Sequence, residues 1–285
     1  MPATLWSNDV PIPFNDRTFA PMVDSTELLG SAADLRARFC ADGYLLLRGV
    51  LDRRKALRIR ASYLSRFDRC MFAPGTDVAA GVFSGTLPHL PEYGTAGHPA
   101  HDFVRTAEFD EFTHEPALLQ LAEQLLDAPA ELTPRRILRH FHRGDRKASR
   151  AHVDYDYMDR GTDRLVTMWI PLGDCPIECG GLIYLEGSHR VAPERLDELR
   201  PITDRPHDHR PVCNDLALTA QVLGGRWLWT DYEAGDLVVH SPHLVHASLD
   251  NLSNVMRISG DLRFHPTDEP VDPRWNDHWS ADDGF

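Results

Sequence analysis

Residues 165–185 read LVTMWIPLGDCPIECGGLIYL. Two apolar runs, Leu165–Leu172 and Gly181–Leu185, are rich in β-branched and aromatic side chains and too short for ordinary helices, and Gly180-Gly181 between them is a turn signal. Both read as buried strands. The same texture extends outward to candidate strands at Arg136–Phe141, Trp227–Trp229, Asp236–His240 and Met256–Phe264, with turns at Gly224-Gly225 and Gly235-Asp236. The N-terminal part has another period. Leu28, Leu29, Leu35 and Phe39 recur at helical spacing within 26–41, residues 53–68 read as a helix, and Pro116–Leu126 as a short amphipathic one. Asp42-Gly43 breaks the first pattern, and Tyr44–Leu51 reads as a strand. Many short strands behind a helical part predict a mainly β protein with flanking helices. Its core would be a double-stranded β-helix (jelly-roll, cupin-like) over about 131–265, with a helical buttress over about 1–130 and a C-terminal tail. One domain of 285 residues is expected, because β-barrels exceed the usual ~150 residues per domain.

Thirty basic residues against 43 acidic ones give a net charge of −13, the wrong sign for gripping a phosphate backbone. The densest basic stretches, Arg135/Arg136/Arg139 and Arg143/Arg146/Lys147/Arg150, are interrupted by Asp145 and apolar residues, and read as solvated or carboxylate-partnered faces. No nucleic-acid partner is expected. An acidic balance mildly favours neutral or cationic small molecules. Met1–Ser25 carries Pro2, Asp9, Pro11, Pro13 and Asp16 without an apolar core, unlike a signal peptide, and no run approaches the ~18 apolar residues of a membrane span. The five cysteines are an odd number and show no paired zinc spacing. The expectation is a reduced, cytoplasmic protein with free thiols, Cys175 and Cys179 lying in a loop, and no membrane partner.

Candidate chemistry centres on residues 149–156, SRAHVDYD. On an extended strand His152 and Asp154 project to one face, so an imidazole nitrogen and a carboxylate oxygen can converge on one metal. A further histidine completes a facial triad with three open positions, the arrangement of non-haem Fe(II) oxygenases. The segment 235–246, GDLVVHSPHLVH, offers His240, His243 and His246. Eleven residues beyond His246, Arg257 shares a strand face with Ser259, and its guanidinium fork suits a carboxylate.

Together these stretches resemble the phytanoyl-CoA dioxygenase family of Fe(II)- and 2-oxoglutarate-dependent oxygenases. The resemblance rests on Asp42–Leu51 (DGYLLLRGVL), His152-x-Asp154, Thr167–Leu172 (TMWIPL), Gly180–Arg190 (GGLIYLEGSHR), Gly235-Asp236, and His246 with Ser248, Asn251, Ser253 and Arg257. It spans most of the chain. It implies that His152, Asp154 and His246 are the iron ligands and the catalytic centre. It implies that Arg257 pairs with the distal carboxylate of 2-oxoglutarate, with Ser248, Thr167 and Trp169 as further candidates for that pocket. It implies Fe(II), 2-oxoglutarate and O2, and hydroxylation of an unactivated C–H bond of a small molecule (a bacterial natural-product intermediate or an amino acid), releasing succinate and CO2. The same cofactors would serve desaturation, epoxidation or ring formation. A non-catalytic cupin-like metal-binding protein is the alternative from another class. Glu186 stands where the family usually has proline, which touches a turn and no ligand. Asp154 stands where halogenating relatives have a small residue, so no coordination position is freed for chloride.

Other residues carry bland expectations. His140 and His142 alternate with Arg139, Phe141 and Arg143 on the strand before the metal motif, so one of the two sets is expected to line the substrate cavity, with His140 and His142 as the candidates. Arg263 is a candidate second cation there, as are Arg139 and Arg143. His240 and His243 are expected in structural hydrogen bonds and His189 in a structural turn. His89, His98, His101, His114, His207 and His209 are expected in solvent, and Trp227, Trp229, Tyr232, Trp275 and Trp279 in core or tail packing, with a barrel mouth lined by some of them as the alternative. The irregular stretches 72–104 and 192–212 are candidate covers for the substrate.

Overall fold

The computed structural model describes residues 2–280 except 90, 203, 205–207 and 209. Its strands are β1 (Thr4–Ser7), β2 (Val10–Pro13), β3 (Phe19–Pro21), β4 (Tyr44–Leu47), β5 (Ala130–Leu132), β6 (Ile137–Phe141), β7 (Val166–Pro171), β8 (Leu182–Leu185), β9 (Trp227–Trp229), β10 (Leu237–His240), β11 (His246–Ser248) and β12 (Arg257–Pro266). Its helices are α1 (Ala32–Asp42), α2 (Arg53–Leu64), α3 (Pro99–Phe103), α4 (Ala107–Thr113), α5 (Pro116–Leu126), α6 (Pro193–Asp197) and α7 (Leu216–Leu223). Two sheets form a jelly-roll core. The larger runs β4-β10-β7-β12-β5 with β6 also on β12; the smaller runs β11-β8-β9-β3. The sheets do not close into a continuous barrel.

Alternation of side chains sorts three layers. From the larger sheet, Leu45, Leu47, Met168, Ile170, Leu237, Val239, Ile258 and Leu262 face outward onto Leu35 of α1, Ile59 and Tyr63 of α2, Phe109 of α4 and Leu121 of α5. Each such side chain, fully buried, contributes ~1.5–3 kcal/mol, which is why β7 reads as a continuous apolar run. Its inward partners Tyr44, Leu46, Trp169 and Val238 meet Leu182, Tyr184 and Leu228 of the smaller sheet. The far face of that sheet packs Ile183, Leu185, Ala247 and Trp227 against α7 and the β1–β2 hairpin.

Several predicted boundaries shift. The 26–41 helix begins at Ala32, where Ser31 caps it by accepting the Asp34 N–H, and ends at Gly43 with φ 77°. A Cβ on Gly43 would lie 2.6 Å from His189 Nδ1, so glycine is required here for space and for backbone. The 44–51 strand ends at Leu47, before Gly49 turns the chain at φ 61°. The 53–68 helix ends at Leu64. All five thiols are free, as expected, and Cys175, Cys179 and Cys213 are buried. Among the described residues, no helix is long and apolar enough to cross a membrane.

Candidate active site

At one end of the space between the sheets the filling changes from apolar to polar. His246 opens β11 and pairs with Tyr184 of β8. The His152 and His246 backbones exchange hydrogen bonds in both directions, at 3.0 and 2.9 Å, which sets the two imidazoles side by side with ring centroids 4.1 Å apart. The expected strand through the metal motif is only locally correct. Val153 is extended (φ −115°, ψ 140°), but Asp154 begins a 3-10 turn through Tyr157. One extended step suffices to bring His152 and Asp154 to the same side.

The donor set has the arrangement a metal requires. His152 Nδ1 lies 2.7 Å from the Arg150 carbonyl and His246 Nδ1 2.9 Å from that of Leu244. A proton on each Nδ1 leaves both Nε2 lone pairs facing inward. Those Nε2 atoms lie 3.8 and 3.6 Å from Asp154 Oδ1, and ligand atoms of all three residues fall within 4.8 Å of one another. Burial pushes the His152 imidazole down to about 4 and His246 well below its ordinary range, so both rings are in the neutral, metal-binding form. Burial would raise Asp154, but the adjacent Arg263 charge leads the opposing contributions and holds it well below the usual carboxylate range.

The second carboxylate oxygen is occupied. Thr167 Oγ1 donates to Asp154 Oδ2 at 2.6 Å, and Arg263 Nη2 lies 3.2 and 3.1 Å from the two oxygens. His240 Nε2 stands 3.4 Å from Oδ2, its Nδ1 held at 2.9 Å by the Tyr184 hydroxyl. Thr167 therefore orients the carboxylate, and His240, tied to Tyr184, packs against it with no hydrogen bond at Nε2.

The inward row of β12 is Arg257, Ser259, Asp261 and Arg263. Arg257 is buried, donates through Nη1 to Ser259 Oγ at 3.1 Å and stacks over Phe141 at 4.3 Å, with Trp169 at 5.9 Å. Its Nε and Nη2, and Trp169 Nε1, have no partner. Buried N–H groups without acceptors cost ~1–3 kcal/mol each, so these donors suit a carboxylate. Ser248 is placed differently: its Oγ accepts the Ser149 N–H at 2.7 Å.

A cavity of about 490 Å³ opens beside His152 and Asp154. Its walls include Tyr93, Phe141, Tyr157, Trp275, Trp279, Arg139 and Arg263. Both irregular stretches reach it, one through Tyr93 and the other through Asp208 and Pro211.

Some expectations need correction. His140 does not face the cavity. Arg139 and Phe141 take the inward face of β6, so His140 points to the helical layer, where it meets the Tyr63 hydroxyl at 3.0 Å and the Phe67 ring. His142, beyond the strand end, stacks on Phe83. Arg143 donates to Asn254 at the surface. His98 and His101 are buried, not solvated. His207 and His209 lie outside the described residues. Trp275 and Trp279 are buried in the core, as expected, and they also line the cavity. Tyr157 had a usable signal: three residues beyond Asp154, it shares that side of a 3-10 turn.

The model of the phytanoyl-CoA dioxygenase family matches residues 39–259. The chain is 24% identical to the 1-deoxypentalenic acid 11-beta-hydroxylase of Streptomyces exfoliatus, over 87% of this chain and 86% of the relative. In structure it is similar to the epimerase SnoN, solved with Fe3+, alpha ketoglutarate and nogalamycin RO, with a TM-score of 0.60 at 19% identity over 86% of this chain and 87% of that one. It is also similar to the alpha ketoglutarate-dependent carbocyclase SnoK of nogalamycin biosynthesis, at 0.59 and 19% over 89% and 90%. The matched span holds the whole His152–Asp154–His246 cluster: this chain belongs to the phytanoyl-CoA dioxygenase family and is a non-haem iron dioxygenase that uses Fe(II), 2-oxoglutarate and O2.

Proposed function

We propose that the protein hydroxylates an unactivated C–H bond of a small, largely apolar natural-product intermediate. The observation that carries this reading is the opening of the triad directly onto an aromatic-walled cavity of small-molecule size. The hydroxylase named among its relatives supports hydroxylation over desaturation, epoxidation or ring formation.

In this reading His152 Nε2, Asp154 Oδ1 and His246 Nε2 hold the iron. Fe(II) with 2-oxoglutarate and O2 supplies the oxidising power, yielding succinate and CO2. The chain's own groups provide orientation. Carbonyls of Arg150 and Leu244 fix the imidazole tautomers, and Thr167 and Arg263 fix the carboxylate. Arg257, steadied by Ser259, takes the distal carboxylate of 2-oxoglutarate beside Trp169. The aromatic walls exclude water from the reacting carbon. Asp154 leaves no position for chloride, so halogenation is not expected. Both sheets contribute to this single site, and we take the chain to work as one domain.

The test is succinate formation from 2-oxoglutarate with Fe(II) and O2, run with pooled terpenoid acids, amino acids and polyketide intermediates. Substrate-stimulated succinate and a hydroxylated product are expected, both lost in Asp154→Ala. Undiminished turnover in that variant would overturn the ligand assignment.

A further inference from the structure

Among the described residues, the lining of the large cavity contains five cationic side chains, in a chain whose net charge is −13. Four are matched by carboxylates outside the lining: Arg139 with Asp261 at 2.5 Å, Arg146 with Asp9 at 3.0 Å, Lys147 with Glu92 at 2.6 Å and Arg150 with Asp204 at 2.5 Å. Arg263 differs from all four. Its side chain is 4% exposed, and the carboxylate it touches is Asp154, the proposed iron ligand. Its Nε and Nη1 have no partner. The guanidinium carbon lies 4.6 Å over the Trp275 ring, and the residue borders both the wide cavity and the small recess lined by Thr167, His240 and His246.

A buried guanidinium that uses one nitrogen and leaves two donors unmet is set up for an acceptor, and an anionic one above all. The shortage deepens once iron shares the Asp154 charge. The distal carboxylate of 2-oxoglutarate does not fill this need, because Arg257 offers its own unmet donors away from the cavity lining. The remaining occupant of the cavity is the substrate. Resting on the hydroxylase reading above, we infer that the substrate is an apolar carboxylic acid whose carboxylate docks on Arg263. Tyr93, Tyr157, Trp275 and Trp279 enclose its hydrocarbon body. The local arrangement thus outweighs the mild preference for neutral or cationic molecules that the overall charge suggested. Arg263 acts as a specificity-determining residue: it selects an acid over its neutral analogue.

The experiment uses the full chain, anaerobic, with Fe(II) and 2-oxoglutarate bound. Calorimetric titration compares 1-adamantanecarboxylic acid with 1-adamantanecarboxamide, a pair matched in shape and different in charge. The acid should bind about ten-fold more tightly to the wild type, equivalent to about 1.4 kcal/mol. Arg263→Met should remove that preference, Arg263→Lys should keep part of it, and Arg257→Met should weaken 2-oxoglutarate and keep the preference. Equal binding of acid and amide, binding of neither, or a preference that survives Arg263→Met would overturn the inference. The wild-type comparison decides even if Arg263→Met loses iron. Failure of the hydroxylase reading would show separately, as acid binding without a hydroxylated product from any pooled substrate.

Discussion

Thr167 Oγ1 donates to Asp154 Oδ2 at 2.6 Å, from the inward face of β7 across to the turn that carries the carboxylate. The bond pins one oxygen and so aims the other at the two imidazoles. Thr167→Val keeps the shape and removes this donor. Fe(II) affinity should fall about 10–100-fold, as when other partners of metal ligands are removed. Anaerobic metal titration would measure it, and an unchanged affinity would mean that Thr167 does not fix the carboxylate.

Arg257 predicts a different loss. Its unmet Nε and Nη2 are buried beside Ser259, Phe141 and Trp169, so its contribution should appear in co-substrate binding and not in iron binding. Charge-assisted hydrogen bonds contribute ~1.5–3 kcal/mol each. Arg257→Met should therefore weaken 2-oxoglutarate by roughly 10–150-fold at unchanged Fe(II) affinity. Unaltered 2-oxoglutarate binding would remove Arg257 from the site.

Acid should loosen the metal-free protein from a definite direction. Burial holds His152 and His98 at about 4, below the ordinary 6.5, and pushes His140 well below its ordinary value. A histidine whose folded value is depressed takes up its proton more readily when unfolded. Stability is then full above about 6.5 and is lost as pH falls toward the folded value, by up to roughly 3 kcal/mol for a group shifted this far. Urea unfolding of metal-free protein from about pH 7 down to about pH 4 should show this decline. His98→Gln should flatten part of it, and a midpoint independent of pH over that window would contradict the assignment.

What was legible in the sequence follows from locality. The strands at 165–172 and 181–185 are visible because both faces of β7 and β8 are buried and the apolar run is continuous. The cluster His152, Asp154, His246 was legible because a short spacing and a motif carry it. The facing of His140 was not, because alternation offers two choices. The register of β6 on β12, with His140 opposite Ile258 and Phe141 opposite Arg257, selects between them. Nothing near Trp275 or Trp279 in the chain points to the cavity; that contact forms only when the tail crosses to residues more than a hundred positions away, as when Trp275 Nε1 donates to the Tyr157 carbonyl at 3.0 Å.

Behind the metal ligands, the Tyr184 hydroxyl meets His240 Nδ1 at 2.9 Å, and the same ring stacks on Tyr44 with centroids 5.5 Å apart. Tyr184→Phe keeps the stack and leaves a buried imidazole nitrogen without its partner, which should cost about 1–3 kcal/mol of stability. The loss should be specific to the pair. In a double-mutant cycle with His240→Asn, denaturant unfolding should give a coupling of about 0.5–3 kcal/mol, the range for residues in direct contact. If the two substitutions instead add without coupling, the hydroxyl does not hold His240 against Asp154, and the carboxylate depends on Thr167 and Arg263 alone.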